Sequence, residues 1–204
     1  GCGKGRHALK MSSFFHTVNG LDLSINNIKI ANANKKANLN FFIDDMRNFS
    51  HSTKYDYVFN LFTSFGYFET IKENLNVLKC IHRHLKKDGF LLIDFLNPEI
   101  IRSRNLISEE KYIYDIHFKI EKFISGVFII KKIQITDGEN QFQFHEKVQL
   151  FNLNDFKEMF AKTGYSIHST FGNYNLERCL VCSKRGSLIK RINLDLDKDR
   201  RNTI

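Results

Sequence analysis

The sequence predicts an α/β protein, with a mostly parallel sheet, helices on both faces and an antiparallel β insertion. Three observations carry that expectation. Gly1-Cys2-Gly3-Lys4-Gly5 is a glycine-spaced turn that leads straight into a helix-like run. Phe90–Phe95 is a near-continuous apolar stretch, as expected of a parallel strand covered on both faces. Between Tyr112 and Phe151 the pattern changes to apolar–polar alternation, the period of a half-exposed strand. A length of 204 residues, with 42% hydrophobic and 13% aromatic side chains, suits one globular domain with a sizeable core.

The glycine turn comes first. Glycine lets backbone approach a ligand closely and take positive φ. The helix after it offers free N–H groups to polar or negative ligand atoms. The order is G-x-G-x-G, with Arg6 where a dinucleotide-binding turn has its third glycine. A first helix is expected over Ala8–Phe14 and a strand over Thr17–Leu21, ending in Asp22. Nucleotide folds place a carboxylate on ribose hydroxyls at that distance from the glycine turn, because a carboxylate accepts both hydroxyl protons. Ser24 caps a helix over Ile25–Lys36.

The third expected strand, Asn40–Ile43, leads to Asp44-Asp45-Met46-Arg47. Tyr55–Asn60 is the next strand and runs into Leu61-Phe62-Thr63-Ser64-Phe65-Gly66-Tyr67-Phe68. Ile71–Leu85 has one apolar face through Leu75, Leu78, Ile81 and Leu85. His82 and His84 on it have the wrong spacing for a metal pair and are expected at the surface. Lys86-Lys87-Asp88-Gly89 reads as a helix stop and turn before Phe90–Phe95, and Asn97-Pro98 ends that strand.

The insertion is expected as about three strands, Tyr112–Glu121, Gly126–Thr136 and Gln141–Phe151, with Asp137-Gly138 as a hairpin signal. Leu153–Thr163 is a helix with Asn152 or Asn154 as its cap and Gly164 past its end. Tyr165–Phe171 and Arg178–Lys184 are the last expected strands, and Gly186 onward reads as a charged tail. The resulting division is residues 1–99 as α/β core, 100–152 as antiparallel insertion, 153–185 as return to the core, and 186–204 as charged tail.

Bulk chemistry narrows the partners. The net charge of +9 is spread over separate pairs such as Lys35-Lys36, Lys86-Lys87 and Lys131-Lys132, with no basic run interleaved by aromatics. Nucleic acid is therefore the less favoured partner. The longest apolar run is broken by Asp94 and too short to span a bilayer, so no membrane partner is expected. Cys179-x-x-Cys182 has zinc-like spacing but no second pair. With Cys2 and Cys80 these read as small apolar residues in a reducing, cytoplasmic compartment. Asp195-x-Asp197-x-Asp199 lacks the glycine and closing glutamate of a calcium loop. No metal is expected.

Two blocks, Gly1–Ala31 and Asp45–Phe68, carry a resemblance to class I S-adenosylmethionine (SAM) dependent methyltransferases. The first holds G-x-G-x-G followed by Arg-His-Ala, then Gly20-Leu-Asp-Leu-Ser24 with Ile28 and Ala31. The second holds Asp45-Met46-Arg47-x-Phe49 and Asn60-Leu-Phe-x-Ser-Phe-Gly-Tyr-Phe68. Phe15 departs from the pattern, standing where the family commonly ends its first helix with glycine, so that turn must be built differently.

The resemblance implies a Rossmann-like fold with SAM as cofactor. The implied cofactor-binding residues are Gly1, Cys2, Gly3, Gly5, Asp22, Leu23, Asp45, Met46, Asn60, Leu61 and Phe62. Asp45 would accept the exocyclic amine of adenine and Met46 would pack on the ring. In the family a hydrophobic strand ending in an acid precedes the glycine turn. Such a segment is expected upstream of Gly1, leaving six core strands with a central gap.

The implied reaction is attack of an acceptor on the sulfonium methyl. Asn60-Leu61-Phe62-Thr63 lacks the prolines of nucleobase amino-methyltransferases. A small-molecule N- or O-acceptor is the expected substrate. An RNA or protein acceptor, or an inactive scaffold of the same fold, are the alternatives. Candidate proton acceptors are Tyr67, His145 and Glu146.

Overall fold

The computed structural model describes residues 1–103, 107–172, 175, 178–179 and 186–192. Helix α1 (Arg6–Met11) starts at Gly5, whose φ of 81° is left-handed. It is shorter than the expected Ala8–Phe14. A right-handed turn follows, in which Phe14 and Phe15 N–H both donate to Met11 O. Asn38 Nδ2 clamps it by donating to Ser12 O and Phe15 O. That is how the chain turns without a glycine at position 15.

Strand β1 (Val18–Asp22) pairs in parallel with β2 (Leu39–Ile43), and α2 (Ile25–Ala33) crosses between them. Ser24 Oγ accepts Asn27 N–H at 3.3 Å and caps α2. A separate five-stranded sheet contains β3 (Tyr55–Asn60), β4 (Leu85–Leu96), β9 (Ser166–Phe171), β10 (Arg178–Cys179) and β11 (Gly186–Ile192), in the order β10-β9-β11-β4-β3. All neighbours are parallel except β10 against β9. The edges of β1 and β3 that face each other are unpaired among the described residues, and a cavity of about 500 Å³ lies between them. The expected central gap is found between β1 and β3, with seven rather than six core strands among the described residues because Gly186–Ile192 adds one.

Helices α3 (Ile71–His84) and α5 (Leu153–Thr163) pack together over the larger sheet. Each begins with a reciprocal cap, Thr70 with Glu73 and Asn152 with Asp155. Gly164, with φ 82°, ends α5 as expected. Phe65, Leu78, Leu91, Ile93 and Phe160 are fully or almost fully buried between these layers. The short α4 (Pro98–Ser103) leaves the end of β4 toward the insertion.

Several expectations are corrected. The insertion has four antiparallel strands, not three: β5 (Ile107–Ile113), β6 (Ile116–Ser125), β7 (Phe128–Asp137) and β8 (Asn140–Gln149). Tyr114 takes φ 53° and splits the run Tyr112–Glu121 into β5 and β6. Gly138, with φ 57°, turns β7 into β8.

The residues Lys86–Gly89 form no turn, because α3 passes directly into β4 at Leu85, which pairs with Tyr55. His84 is buried, its Nδ1 2.8 Å from Cys80 O while Nε2 accepts His51 N–H at 3.2 Å. Two backbone partners make that burial affordable without charge. Gly186–Ile192 is strand β11, inserted between β4 and β9, rather than tail. Only Arg178–Cys179 of the expected last strand falls within the described residues. Cys182 and the Asp195–Asp199 run lie outside them.

Candidate functional site

The glycine turn wraps the carboxyl end of β1. Gly1 N and Cys2 N both donate to Leu21 O, at 2.7 and 2.8 Å. Gly3 N–H donates to Asp22 Oδ2 at 2.7 Å. Ser24 N–H and the Asn27 amide donate to Oδ1 at 2.9 and 3.4 Å. Burial is the largest influence on the Asp22 carboxyl and pushes it up. The bonds from Ser24, Gly3 and Asn27 outweigh it and hold the carboxyl below its ordinary value. Asp22 is thus a fixed anion at the lip of the turn, with one of about four lone-pair positions, on Oδ2, left for a further donor.

Close packing explains the glycines. A Cβ on Gly5 would stand 2.5 Å from the Phe41 ring, and one on Gly20 would stand 2.6 Å from it. The ring fills the space between turn and strand. A Cβ on Gly1 would meet Ser64 Cβ at 2.9 Å. Phe41 and Ser64 carry no sequence signature. The pairing of a glycine turn with a glycine inside the next strand was the one available hint of close approach.

The opposite wall is the end of β3. Asn60 is buried and lines the cavity; its Oδ1 has no hydrogen-bond partner and its Nδ2 lies 4.0 Å from Met46 Sδ. Leu61, Phe62 and Ser64 continue the lining. Phe62 and Thr63 both take left-handed φ, 54° and 56°. Asp94 holds them there: its Oδ2 accepts Phe62 N–H at 3.2 Å and its carbonyl accepts Thr63 N–H at 3.0 Å. The Phe62 ring stacks on His7 at 4.6 Å, closing β3's loop onto α1. Two strained non-glycine residues in succession are a feature of sites held for function.

The structure brings Gly1, Cys2, Gly3, Met46, Asn60, Leu61 and Phe62 to one cavity. Asp22 stands at its rim through Gly3, and Gly5 begins α1 behind it. Asp45 does not line the cavity. Its carboxylate is gripped by the Arg47 guanidinium at 2.6 Å, and the Arg47 side-chain bonds, first among the influences, hold it below its ordinary value. Leu23 is 66% exposed just beyond Asp22 and does not line the cavity either. Burial pushes the Cys2 thiol up to about 11, so it stays protonated and is no nucleophile.

None of the three candidate proton acceptors lines the cavity. Tyr67 lies in the loop after β3, where Gln149 N–H at the end of β8 donates to Gly66 O at 2.8 Å. Burial first, and the charge of Glu146 second, push the Tyr67 hydroxyl up. Tyr67 therefore stays a phenol near neutral pH and does not serve as a phenolate base. Glu146 pairs with Lys131 at 3.0 Å across β7 and β8. His145 is exposed and, being adjacent on the strand, points to the opposite face from Glu146.

Residues 1–170 match the Methyltransferase domain family. A comparison with curated protein sequences gave no match. Among solved structures, the chain is similar to an S-adenosylmethionine-dependent methyltransferase of Clostridium acetobutylicum, at TM-score 0.76 and 16% identity, over 90% of this chain and 78% of that one. It is similar to a SAM-bound amino pentose methyltransferase of Micromonospora echinaspora involved in calicheamicin biosynthesis, at TM-score 0.70 and 20% identity, over 87% and 78%. A sugar N-methyltransferase from Streptoalloteichus is similar at TM-score 0.72 and 19% identity, over 91% and 74%.

Proposed function

Because the chain belongs to the methyltransferase domain family and its cofactor is S-adenosylmethionine, we propose that it methylates a nitrogen or oxygen of a small-molecule acceptor. One observation carries the donor half of this reading. The glycine turn, Met46 and the buried, unpartnered Asn60 Oδ1 line one end of the cavity that runs between β1 and β3, the end where both strands finish. Open α/β sheets bind their ligands at that edge. An orphaned buried acceptor of this kind fits a ligand donor.

SAM supplies an electrophilic methyl group when bound. The chain's residues would position it: Gly1 and Gly3 by close backbone approach, Asp22 by accepting ribose hydroxyls, Met46 by packing on the base. Asn60, Leu61 and Phe62 form the facing wall. Alignment of two reactants can contribute roughly 7–11 kcal/mol, so little further chemistry is demanded of the protein. We assign the proton-accepting role to Glu146, with Tyr67 beside it as a hydrogen-bonding phenol. His145 stands apart from them.

The insertion, anchored to the Tyr67 loop through Gly66 and Gln149, serves as the acceptor lid in this reading. The similar structures from Micromonospora and Streptoalloteichus act on an amino pentose and a sugar, which supports a small polar acceptor. The free thiols of Cys2 and Cys80 support a reducing, cytoplasmic setting. No helix among the described residues is long and apolar enough to cross a membrane.

The test is calorimetric titration with S-adenosylhomocysteine, then transfer of labelled methyl to a panel of aminosugars, RNA and protein. The expected result is binding that depends weakly on salt and label in an aminosugar. Absence of binding would overturn the reading. Steep salt dependence with label in RNA would replace the acceptor.

A further inference from the structure

The antiparallel insertion ends in two edge strands of different character. Its order is β5-β6-β7-β8, so β5 and β8 each have one side without a strand among the described residues. β5 carries Glu109, Glu110 and Lys111 along its length. Charges of that kind protect an edge strand against pairing with another chain. β8 begins Asn140-Gln141-Phe142-Gln143-Phe144 and has neither charge nor proline there.

One hydrogen bond shows which backbone groups of β8 face outward. Gln149 stands opposite Phe128 of β7, yet its N–H donates to Gly66 O. That N–H therefore points away from β7. Alternate residues of an unbroken antiparallel ladder share a direction, so Gln141, Gln143, His145 and Lys147 also turn their N–H and C=O groups outward. The loop at Gly66 takes the last position of this edge. Residues Asn140–Lys147 leave theirs open to a further strand among the described residues.

The side chains supply a second observation. Phe142 and Phe144 are 49% and 53% exposed. Each ends an apolar row that crosses the sheet: Phe118, Ile135 and Phe142 form one, and Ile120, Ile133 and Phe144 the other. Both rows stop at β8 with an aromatic ring in solvent.

The strand is also complementary to itself. Set antiparallel to a second β8 about Gln143, it places Phe142 opposite Phe144, Gln141 opposite His145, and Glu139 of the preceding turn opposite Lys147. Phe142 and Phe144 fall at non-hydrogen-bonded positions, where facing side chains lie closest. Both apolar rows then continue into the second copy, and opposite charges meet at each end of the pairing.

We propose that the chain forms a two-fold dimer through β8, in which two four-stranded insertions join edge to edge with Gln143 on the axis. The same patch serves on both copies, so the contact closes at two chains and does not propagate.

The experiment is sedimentation equilibrium of the full chain. Mass is expected to rise from one chain to two between about 1 μM and about 100 μM, the range of a small interface. Gln143→Pro removes an N–H that the β7 ladder does not use, so the insertion keeps its own pairing. It is expected to weaken the dimer at least about tenfold, the order of the two axial hydrogen bonds lost. Glu139→Lys, on the exposed turn, sets like charges opposite each other at both ends and is expected to weaken the dimer about fivefold. Adding Lys147→Glu to it is expected to recover most of that loss. In hydrogen exchange, the Gln141, Gln143 and His145 amides are expected to slow about tenfold at high concentration. The Phe142 and Phe144 amides, already directed at β7, are expected to stay unchanged.

A chain that remains a monomer at the highest concentration would overturn the proposal. So would a dimer indifferent to both Gln143→Pro and Glu139→Lys, since its interface would lie elsewhere. Slowed exchange without the odd–even alternation, or a charge swap that recovers nothing, would overturn the pairing about Gln143.

Discussion

The two walls of the cavity are built by different means. On the β1 side the ligand edge is backbone: the Gly1 and Cys2 amides anchored on Leu21, Gly3 on Asp22, and the Phe41 ring filling the space the glycines leave. The Gly1, Cys2, Gly3 and Gly5 amides there already have partners inside the chain. On the β3 side the edge is side chains on a strained loop, with Phe62 and Thr63 at positive φ and Asn60 Oδ1 buried without a partner. One wall is complete in the free protein. The other has a buried acceptor to which a ligand can donate, the ordinary division between a rigid cradle and a face kept reactive.

The largest expected effect breaks the first wall. Gly5→Ala places a Cβ within 2.5 Å of Phe41 at φ 81°, adding overpacking to left-handed strain. A loss of about 2–4 kcal/mol in unfolding free energy is expected, measured by denaturant titration. Gly20→Ala meets the same ring without the φ penalty and is expected to lose less. Equal losses at the two positions would show that φ is not part of the requirement.

Next in size is Asp22→Ala, which removes the anion on which Gly3, Ser24 and Asn27 converge. Affinity for S-adenosylhomocysteine is expected to fall more than about tenfold, or about 1.4 kcal/mol. Unchanged affinity in calorimetry would remove the ribose role from Asp22.

The second wall is expected to respond with the opposite sign. Asn60→Leu deletes a buried amide whose oxygen has no partner. Unfolding free energy is expected to rise by about 0.5–1 kcal/mol while donor binding weakens. If stability falls together with binding, the contrast between the walls is wrong.

The smallest effect is read from pH. The Asp22 carboxyl sits below its ordinary value, so its bonds stabilise the fold above the usual carboxylate range and are lost as pH falls through the lowered value. The Gly3 amide resonance, followed by NMR, is expected to titrate below the ordinary aspartate value of about 3.9. A midpoint at or above that value would contradict the fixed-anion description.

Which parts were legible beforehand follows from where their causes lie. The glycine turn, the acid ending β1, the Ser24 and Asn152 caps and the Gly138 hairpin are each dictated by a few contiguous residues. The box formed by Thr70 and Glu73 was equally local, its T-x-x-E spacing being a start signal that the reading of Ile71–Leu85 did not use. Tyr114 hid a turn because a tyrosine at φ 53° has no sequence mark. His84 read as surface because its neighbours are basic, and only the backbone partners Cys80 and His51 make its burial tolerable.

By itself the sequence determined the α/β class, the glycine turn facing Asp22, the antiparallel insertion and the family. Those rest on periodicity, positive φ and amide chemistry, which act over a few residues. The tertiary structure alone decided that Arg47 meets Glu73 of α3, that the charge of Glu146 reaches Tyr67, and that β11 lies between β4 and β9. Each depends on groups far apart in the chain meeting in one place, and local pattern holds no record of which distant partner a side chain or strand edge will find.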